Sequence, residues 1–358
     1  MTQTIEEDIL FSEENGVGVV VLNRPRALNA LTHHMIAALY ERLLEWHDNE
    51  AIDVVLIKSS SERAFCAGGD VRAVWDDADR GEGLFRVEYR LNNFLAHFRK
   101  PYVSLLDGYV MGGGVGTSIY GSHRIVTERS VFAMPEIAIG LHPDVGGGYF
   151  LNQMPGRLGW FLGLTGYRCS YLEGLFCGFG THLLDASDLK VFEERLVAAS
   201  DKGFARVDSV LKSLARDCSA ADTFLARNQK VLDQALDHKT LGEAVDELLK
   251  LQETVDGQDG EILGKALKAM GKGSKRSLLL TWENLRQSRG QAIGQVLERE
   301  LRISTASVYT SDFKEGIRSV LVDKDGNPDW EDLDLHNPPS DFMDYYDNWT
   351  LKDGALLK

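Results

Sequence analysis

Residues 17–22 (VGVVVL) and 52–57 (IDVVLI) are short runs of strand length, rich in β-branched side chains. Between them, residues 32–48 place Met35, Leu39, Leu43 and Trp46 at helical spacing, which predicts strand, helix, strand. A second unit follows: 84–98 carries Phe85, Tyr89, Asn92 and Leu95 on a helical period and leads through Pro101 into a strand at 102–106. Strands alternating with helices predict a parallel α/β arrangement. No proline occurs between residues 156 and 327, where 188–199, 204–216, 222–238, 241–252 and 275–303 repeat apolar residues every three or four positions, so the C-terminal half is expected to be largely helical.

Glycine breaks this pattern in one region. Of 35 glycines, 14 fall between Gly108 and Gly166, in strings such as YVMGGGVG and PDVGGGYF, where backbone is expected to approach something closely. Residues 323–353 hold ten Asp or Glu against Lys324 and Lys352, a solvated acidic tail packed by Trp330 and Tyr345. Composition thus divides the chain into a core at 10–185, a helical region at 186–322 and the tail at 323–358.

With 358 residues, 44% hydrophobic and 26% charged, the chain is a folded protein with a large core, and intrinsic disorder is excluded. A balance of 39 basic against 54 acidic residues, net −15, opposes a nucleic-acid or anionic-membrane partner. Cys66, Cys169, Cys177 and Cys218 form no CxxC pair, which fits a reduced compartment without structural zinc. The opening MTQTIEEDIL lacks the basic-then-apolar order of a secretion signal and no run of 18 apolar residues occurs, so a cytoplasmic location is expected.

Three segments can carry chemistry. Ala64-Phe65-Cys66-Ala67-Gly68-Gly69-Asp70 follows a strand and leaves backbone N–H groups unobstructed; it reads equally well as a plain turn in which Asp70 caps a helix. Asp107 to Gly116 runs from a strand into glycines and then an apolar helical stretch at 115–121, so its free N–H groups suit developing negative charge. The string lacks the lysine of a phosphate-binding loop and the full GxGxxG fingerprint. The third segment, Phe132 to Gly148, sets Glu136 and Asp144 eight residues apart among apolar neighbours. Such acids need a task or a partner, and capping a helix or pairing with a nearby cation such as Arg124 is the plain alternative. His142 reads as structural, because nothing like a triad surrounds it, and Cys66 reads as packing rather than as a nucleophile.

In this order and spacing the three segments resemble the crotonase, or enoyl-CoA hydratase/isomerase, superfamily, from about residue 15 to 335. The resemblance implies an α/β fold: a crotonase-like spiral of ββα units with an extended helical C-terminal region. It implies Gly69 and Gly113 as the two oxyanion-hole donors, and Arg24, Arg26, Ala27 and Leu28, within NRPRALNAL, as the segment beside coenzyme A. Asp312-Phe313-Lys314-Glu315-Gly316 is similar to a C-terminal motif of many members.

Two positions choose the branch. Hydratases carry a catalytic Glu three residues after the oxyanion glycine, where this chain has Gly116, and a glycine eight residues after the second acid, where it has Asp144. That exchange, and the stretch around Glu88, Tyr89 and Asn93, resemble the 3-hydroxyisobutyryl-CoA hydrolases. The resemblance implies Glu136 as nucleophile or general base, Asp144 as its assistant and Glu88 as a substrate contact. Coenzyme A is then part of the substrate and no metal or redox cofactor is implied. A homo-oligomer stays open, and so do a hydratase working through Glu136 alone and a non-catalytic acyl-CoA-binding protein.

Overall fold

A computed structural model describes residues 7–77 and 81–357; residues 1–6 of the N-terminal segment weighed above lie outside it. The described residues form two compact units that interleave along the sequence: 7–69, 91–132 and 170–219 in the first, and 70–77, 81–90, 133–169 and 220–357 in the second. Composition draws consecutive blocks because it cannot see which helix returns to which sheet.

The first unit is built on a six-stranded sheet. Its strands are β1 (Ile9–Glu14), β2 (Val17–Leu22), β3 (Val54–Ser59), β5 (Tyr102–Leu106), β7 (His123–Val126) and β10 (His182–Leu183), in the order β1-β2-β3-β5-β7-β10. β1 and β2 are antiparallel, joined by Asn15 (φ 46°) and Gly16 (φ 83°), the left-handed pair that a two-residue hairpin needs. The remaining pairings are parallel. One face is covered by helix His33–Asp48, capped where the Thr32 hydroxyl accepts the Met35 N–H, with the predicted Met35, Leu39, Leu43 and Trp46 all buried. Val17, Val19, Leu56 and Val103 form a core with Phe192, Leu196, Val207 and Leu211 from helices Leu189–Ala198 and Gly203–Leu214. These two helices therefore belong to the sheet rather than to a separate helical block.

Between the long strands the chain makes short ones: β4 (Ala64–Cys66), β6 (Tyr109–Met111), β8 (Val131–Ala133) and β9 (Cys169–Ser170), which form a second sheet in that order. A strand in the first sheet, a strand in the second and a helical segment make one turn of the spiral, and the turn repeats. The helical segment after β6 is only Gly113–Gly116, shorter than the 115–121 stretch expected.

The second unit is mainly helical: Leu158–Thr165, Phe224–Ala235, Leu241–Thr254, Gly257–Lys272, Lys275–Ser288, Ile293–Ser307 and Ser311–Ile317. The stretch predicted at 275–303 is two helices, because Gly290 (φ 72°) ends the first. The ten acidic residues of the tail are all exposed, as a solvated tail requires, while its aromatics anchor it. Tyr346 is buried with Leu280, Ile303 and Ala306, while Tyr345 is 46% exposed, so the anchoring aromatic is the neighbour of the one expected. Trp330 donates its indole N–H to the Lys272 carbonyl at 2.7 Å.

Candidate active site

In the first unit, the segment Arg24–Leu31 holds the loop after β4. Leu28 (φ 50°) and Asn29 (φ 56°) both adopt left-handed backbone, which turns the buried Asn29 amide towards Ser59 Oγ (2.7 Å) and the carbonyls of Ala64 (3.3 Å) and Phe65 (3.1 Å). Ala67 N–H donates to the Leu28 carbonyl at 3.0 Å and Leu31 N–H to that of Gly68 at 2.8 Å. Gly68 sits at φ 112°, which only glycine adopts freely, and a Cβ on it would lie 3.8 Å from the Gly113 nitrogen, so the 64–70 and 107–116 loops adjoin.

The second loop is equally tight. A Cβ on Gly114 would stand 2.5 Å from the Cys66 carbonyl oxygen. The Gly112 carbonyl accepts from Val115 (2.8 Å) and Gly116 (3.1 Å), which leaves the first N–H of the turn, that of Gly113, unused. Among the described residues neither the Gly69 nor the Gly113 N–H has an acceptor. Two adjoining glycine donors are what a developing oxyanion needs. At Gly116 there is no side chain, and the carbonyl is taken by the Asn92 amide at 3.0 Å. Cys66 is buried with its thiol against Gly68, as packing. Asp70 precedes helix Val71–Asp76 without capping it by its side chain.

The two candidate arginines separate. Arg24 turns inward, donating to the Ala30 carbonyl at 3.0 Å while its N–H meets Asn29 Oδ1 at 2.8 Å, and so holds the turn. Arg26 is exposed on the short 3₁₀ turn Pro25–Ala27. Ala27 and Leu28 are half-buried there.

In the second unit, Glu136 opens the 3₁₀ turn Glu136–Ile139 directly after Pro135, and Gly140 (φ 73°) closes it. A Cβ on Gly140 would meet the Asp312 backbone at 2.4 Å, and one on Gly316 the Ile139 backbone at 2.5 Å. Asp312 is itself fixed by the Ser274 hydroxyl at 2.5 Å and the Glu331 N–H at 3.0 Å. The 312–316 motif therefore acts as the support on which the Glu136 turn is pressed.

Among the buried carboxylates of this unit, three act on one another: Glu88 (3% exposed) on helix Gly81–Ala96, Glu136 (6%) and Asp144 (8%). Among the described residues, Glu88 Oε1 and Glu136 Oε2 find no hydrogen-bond partner. Burial, then the negative charge of Asp144, raises Glu88 well above the ordinary carboxylate range; Glu136 is raised by burial, Asp144 and Glu88 in that order. Asp144 is pushed up to about 6 by burial, against the Tyr89 hydroxyl that donates to it at 2.6 Å. Pairing with Arg124 is ruled out as the explanation, since that guanidinium is spent on the carbonyls of Gly121, Gly178 and Phe179. Acids that are buried and mutually repelling, two of them with an open oxygen, can hold and pass on protons.

Sequence reasoning missed what holds Asp144. Val145 (φ 52°) and Gly146 (φ 86°) make a strained turn. It is clamped by the buried Glu300, which accepts the N–H of Gly146 at 2.7 Å and of Gly148 at 2.8 Å, with the Asn284 amide at 2.9 Å. One turn further along the same helix, Ser304 bonds the hydroxyl of Tyr89 and the ring of His142.

The Enoyl-CoA hydratase/isomerase family model matches residues 17–346. The chain is 37% identical over 341 residues to the mitochondrial 3-hydroxyisobutyryl-CoA hydrolase of Gallus gallus, covering 94% of this chain and 88% of that one. To the Homo sapiens protein of the same name it is 38% identical over 341 residues, covering 92% and 85%. Among solved structures it is similar to a carnitinyl-CoA dehydratase from Mycobacterium thermoresistibile (34% identity, TM-score 0.88, 98% of each chain). An enoyl-CoA hydratase from Rhodobacter sphaeroides superimposes with TM-score 0.86 at 34% identity, over 98% of this chain and all of that one, 100%. No helix among the described residues is long and apolar enough to cross a membrane. The relatives' names carry the word mitochondrial, so they lend the cytoplasmic expectation no support.

Proposed function

The chain belongs to the enoyl-CoA hydratase/isomerase family, and from that premise we propose that it hydrolyses the thioester of 3-hydroxyisobutyryl-CoA to 3-hydroxyisobutyrate and coenzyme A. The observation that carries this reading is Asp144. A hydratase of the resembled pattern has glycine there, whereas this chain buries a second acid within electrostatic reach of Glu136 and builds a clamp to keep it in place.

In this mechanism the N–H groups of Gly69 and Gly113 receive the charge that develops on the thioester oxygen, each worth about 3–4 kcal/mol. Glu136 either attacks the carbonyl, giving a mixed anhydride that water opens, or removes a proton from an attacking water. Its proton affinity, raised by burial and by the neighbouring acids, suits a group that takes up a proton. Asp144 orients the acyl 3-hydroxyl or the water, and Glu88 lines the same acid cluster. Arg26 offers its exposed guanidinium to a coenzyme A phosphate, while Arg24, Ala27 and Leu28 shape the turn beside it. Water is the only co-reactant, and release of the free hydroxyacid gives the reaction its place in valine breakdown.

The test pairs thiol release from 3-hydroxyisobutyryl-CoA with hydration of crotonyl-CoA. Thiol release abolished by Glu136→Ala supports the hydrolase. Hydration without thiol release, the activity named for the Rhodobacter sphaeroides structure, overturns it.

A further inference from the structure

Asp144 is the near end of a buried chain of hydrogen bonds. Its Oδ2 lies 2.6 Å from the Tyr89 hydroxyl, which lies 2.7 Å from Ser304 Oγ, which lies 3.1 Å from His142 Nε2. The far nitrogen, His142 Nδ1, lies 3.0 Å from the Pro143 carbonyl oxygen. That oxygen only accepts, so Nδ1 must carry a hydrogen. Tyr89, Ser304 and His142 are each 1% exposed or less, which keeps bulk solvent away from the links between them.

Three gaps separate Asp144 from His142 Nε2, and each needs one hydrogen. The two hydroxyls supply two. The third comes from one end: a carboxylic acid proton on Asp144, with Tyr89 donating to Ser304 and Ser304 to a neutral imidazole, or a proton on Nε2, with every bond reversed towards an ionised Asp144. The two states contain the same atoms. Passage between them moves the Asp144 proton to Tyr89, that of Tyr89 to Ser304 and that of Ser304 to His142, and no other bond changes.

We infer that Tyr89, Ser304 and His142 form a proton relay in which His142, reading the state of Asp144 through two hydroxyls, is a positioning residue that favours a proton on Asp144. Burial holds the imidazole down to about 4, so the neutral ring is the resting form and claims the Ser304 hydrogen. Ionised Asp144 then leaves one gap empty. The other titratable groups acting on this end are Glu88, Glu136 and Glu300, all acids, and none supplies a cation. Removing the imidazole has a sign that simple burial does not give. With phenylalanine at 142, Ser304 turns to Tyr89, Tyr89 turns to Asp144, and the ionised carboxylate is fully matched by two hydroxyl hydrogens.

His142→Phe should therefore lower the Asp144 titration by about one pH unit, although it makes the surroundings more apolar. Ser304→Ala should lower it in the same direction, because Tyr89 is then free to donate to the carboxylate. The readout is the carboxyl resonance of ¹³C-labelled aspartate in the full chain, assigned by its loss in Asp144→Asn. The pH dependence of kcat/KM for thiol release should move with it. An unmoved or raised titration in both variants overturns the relay, since a merely structural histidine would leave the carboxylate alone or push it up. The catalytic consequence rests on the hydrolase reading, but the resonance does not. A downward shift in a chain that releases no thiol would keep the relay and refute the hydrolase.

Discussion

The Glu300 carboxylate accepts the N–H of Gly146 at 2.7 Å across 154 residues of sequence, and so fixes the turn that presents Asp144. Its other oxygen accepts from Gly148 and Asn284. Glu300→Ala strands three buried donors beside a turn already strained at Val145. The loss of stability should be roughly 3–5 kcal/mol, measured by urea unfolding, and thiol release should fall with it even though position 300 touches no substrate. Unchanged unfolding would mean that the turn stands without its clamp.

The same residue sets a pH dependence. Burial pushes Glu300 from 4.5 up to about 8 and Asp144 from 3.8 up to about 6. Between these values the folded chain keeps protons that the unfolded chain has released. Folding takes protons up, and stability falls as pH rises through the window, by an amount on the order of 5 kcal/mol for Glu300 and 3 kcal/mol for Asp144. Denaturant unfolding at pH 5 and pH 8 should show the wild type weakening relative to Glu300→Gln. A difference that stays level, or favours the wild type at pH 8, contradicts a buried proton on Glu300.

A side chain at position 113 would stand beside the donor that the site leaves open. Gly113→Val should lower kcat/KM for thiol release by about 100-fold or more with the circular dichroism of the fold retained. Full activity would remove Gly113 from the oxyanion hole.

Asp144→Gly restores the glycine of the resembled hydratase pattern but does not make a hydratase, because position 116 still has no acid. Hydration of crotonyl-CoA should stay absent in the single variant, and hydrolysis of 3-hydroxyacyl thioesters should fall more than that of unsubstituted ones. Ready hydration by Asp144→Gly would show that Gly116 is not the missing half.

The two arginines of the 24–28 turn should behave differently. Arg24→Ala removes the bond to Ala30 that closes the turn and should lower Tm, whereas Arg26→Ala should raise KM for the acyl-CoA, less so at high salt, with Tm unchanged. Equal effects on KM and Tm would return both to one role.

Much of this was legible in the residues. The strands at 17–22 and 102–106 are nearly continuous apolar runs because both of their faces are buried, and the helix from 33 to 48 shows its period because it buries one face. Glu136 and Asp144 stood out as acids in apolar company. Helix Gly257–Lys272 escaped because Gly257, Gly260, Gly264 and Gly271 weaken its propensity, although Leu263, Ala266, Leu267 and Met270 keep the period. Glu300 and Ser304 escaped because the partners that tie them to Asp144, namely Gly146, Gly148 and His142, are more than 150 residues away. A signal was present even so: both lie on the stripe of Val296, Leu297 and Leu301, where a charge and a hydroxyl have no business without buried partners.

The tail closes on the helix that carries Glu88 and Tyr89. Arg86 donates to the carbonyls of Gly354 at 2.8 Å and Ala355 at 3.2 Å, and Arg90 to that of Leu356 at 3.1 Å. The separation between Arg86 and Gly354 is 268 residues, so this clasp encloses most of the chain in one loop and brings little reward until the segments between have found their places. It is a late event in folding. Shortening the last few residues would then act first on the lifetime of the assembled helix rather than on the rate at which the sheet forms, and the acid cluster would be lost to local opening while the strands were still intact.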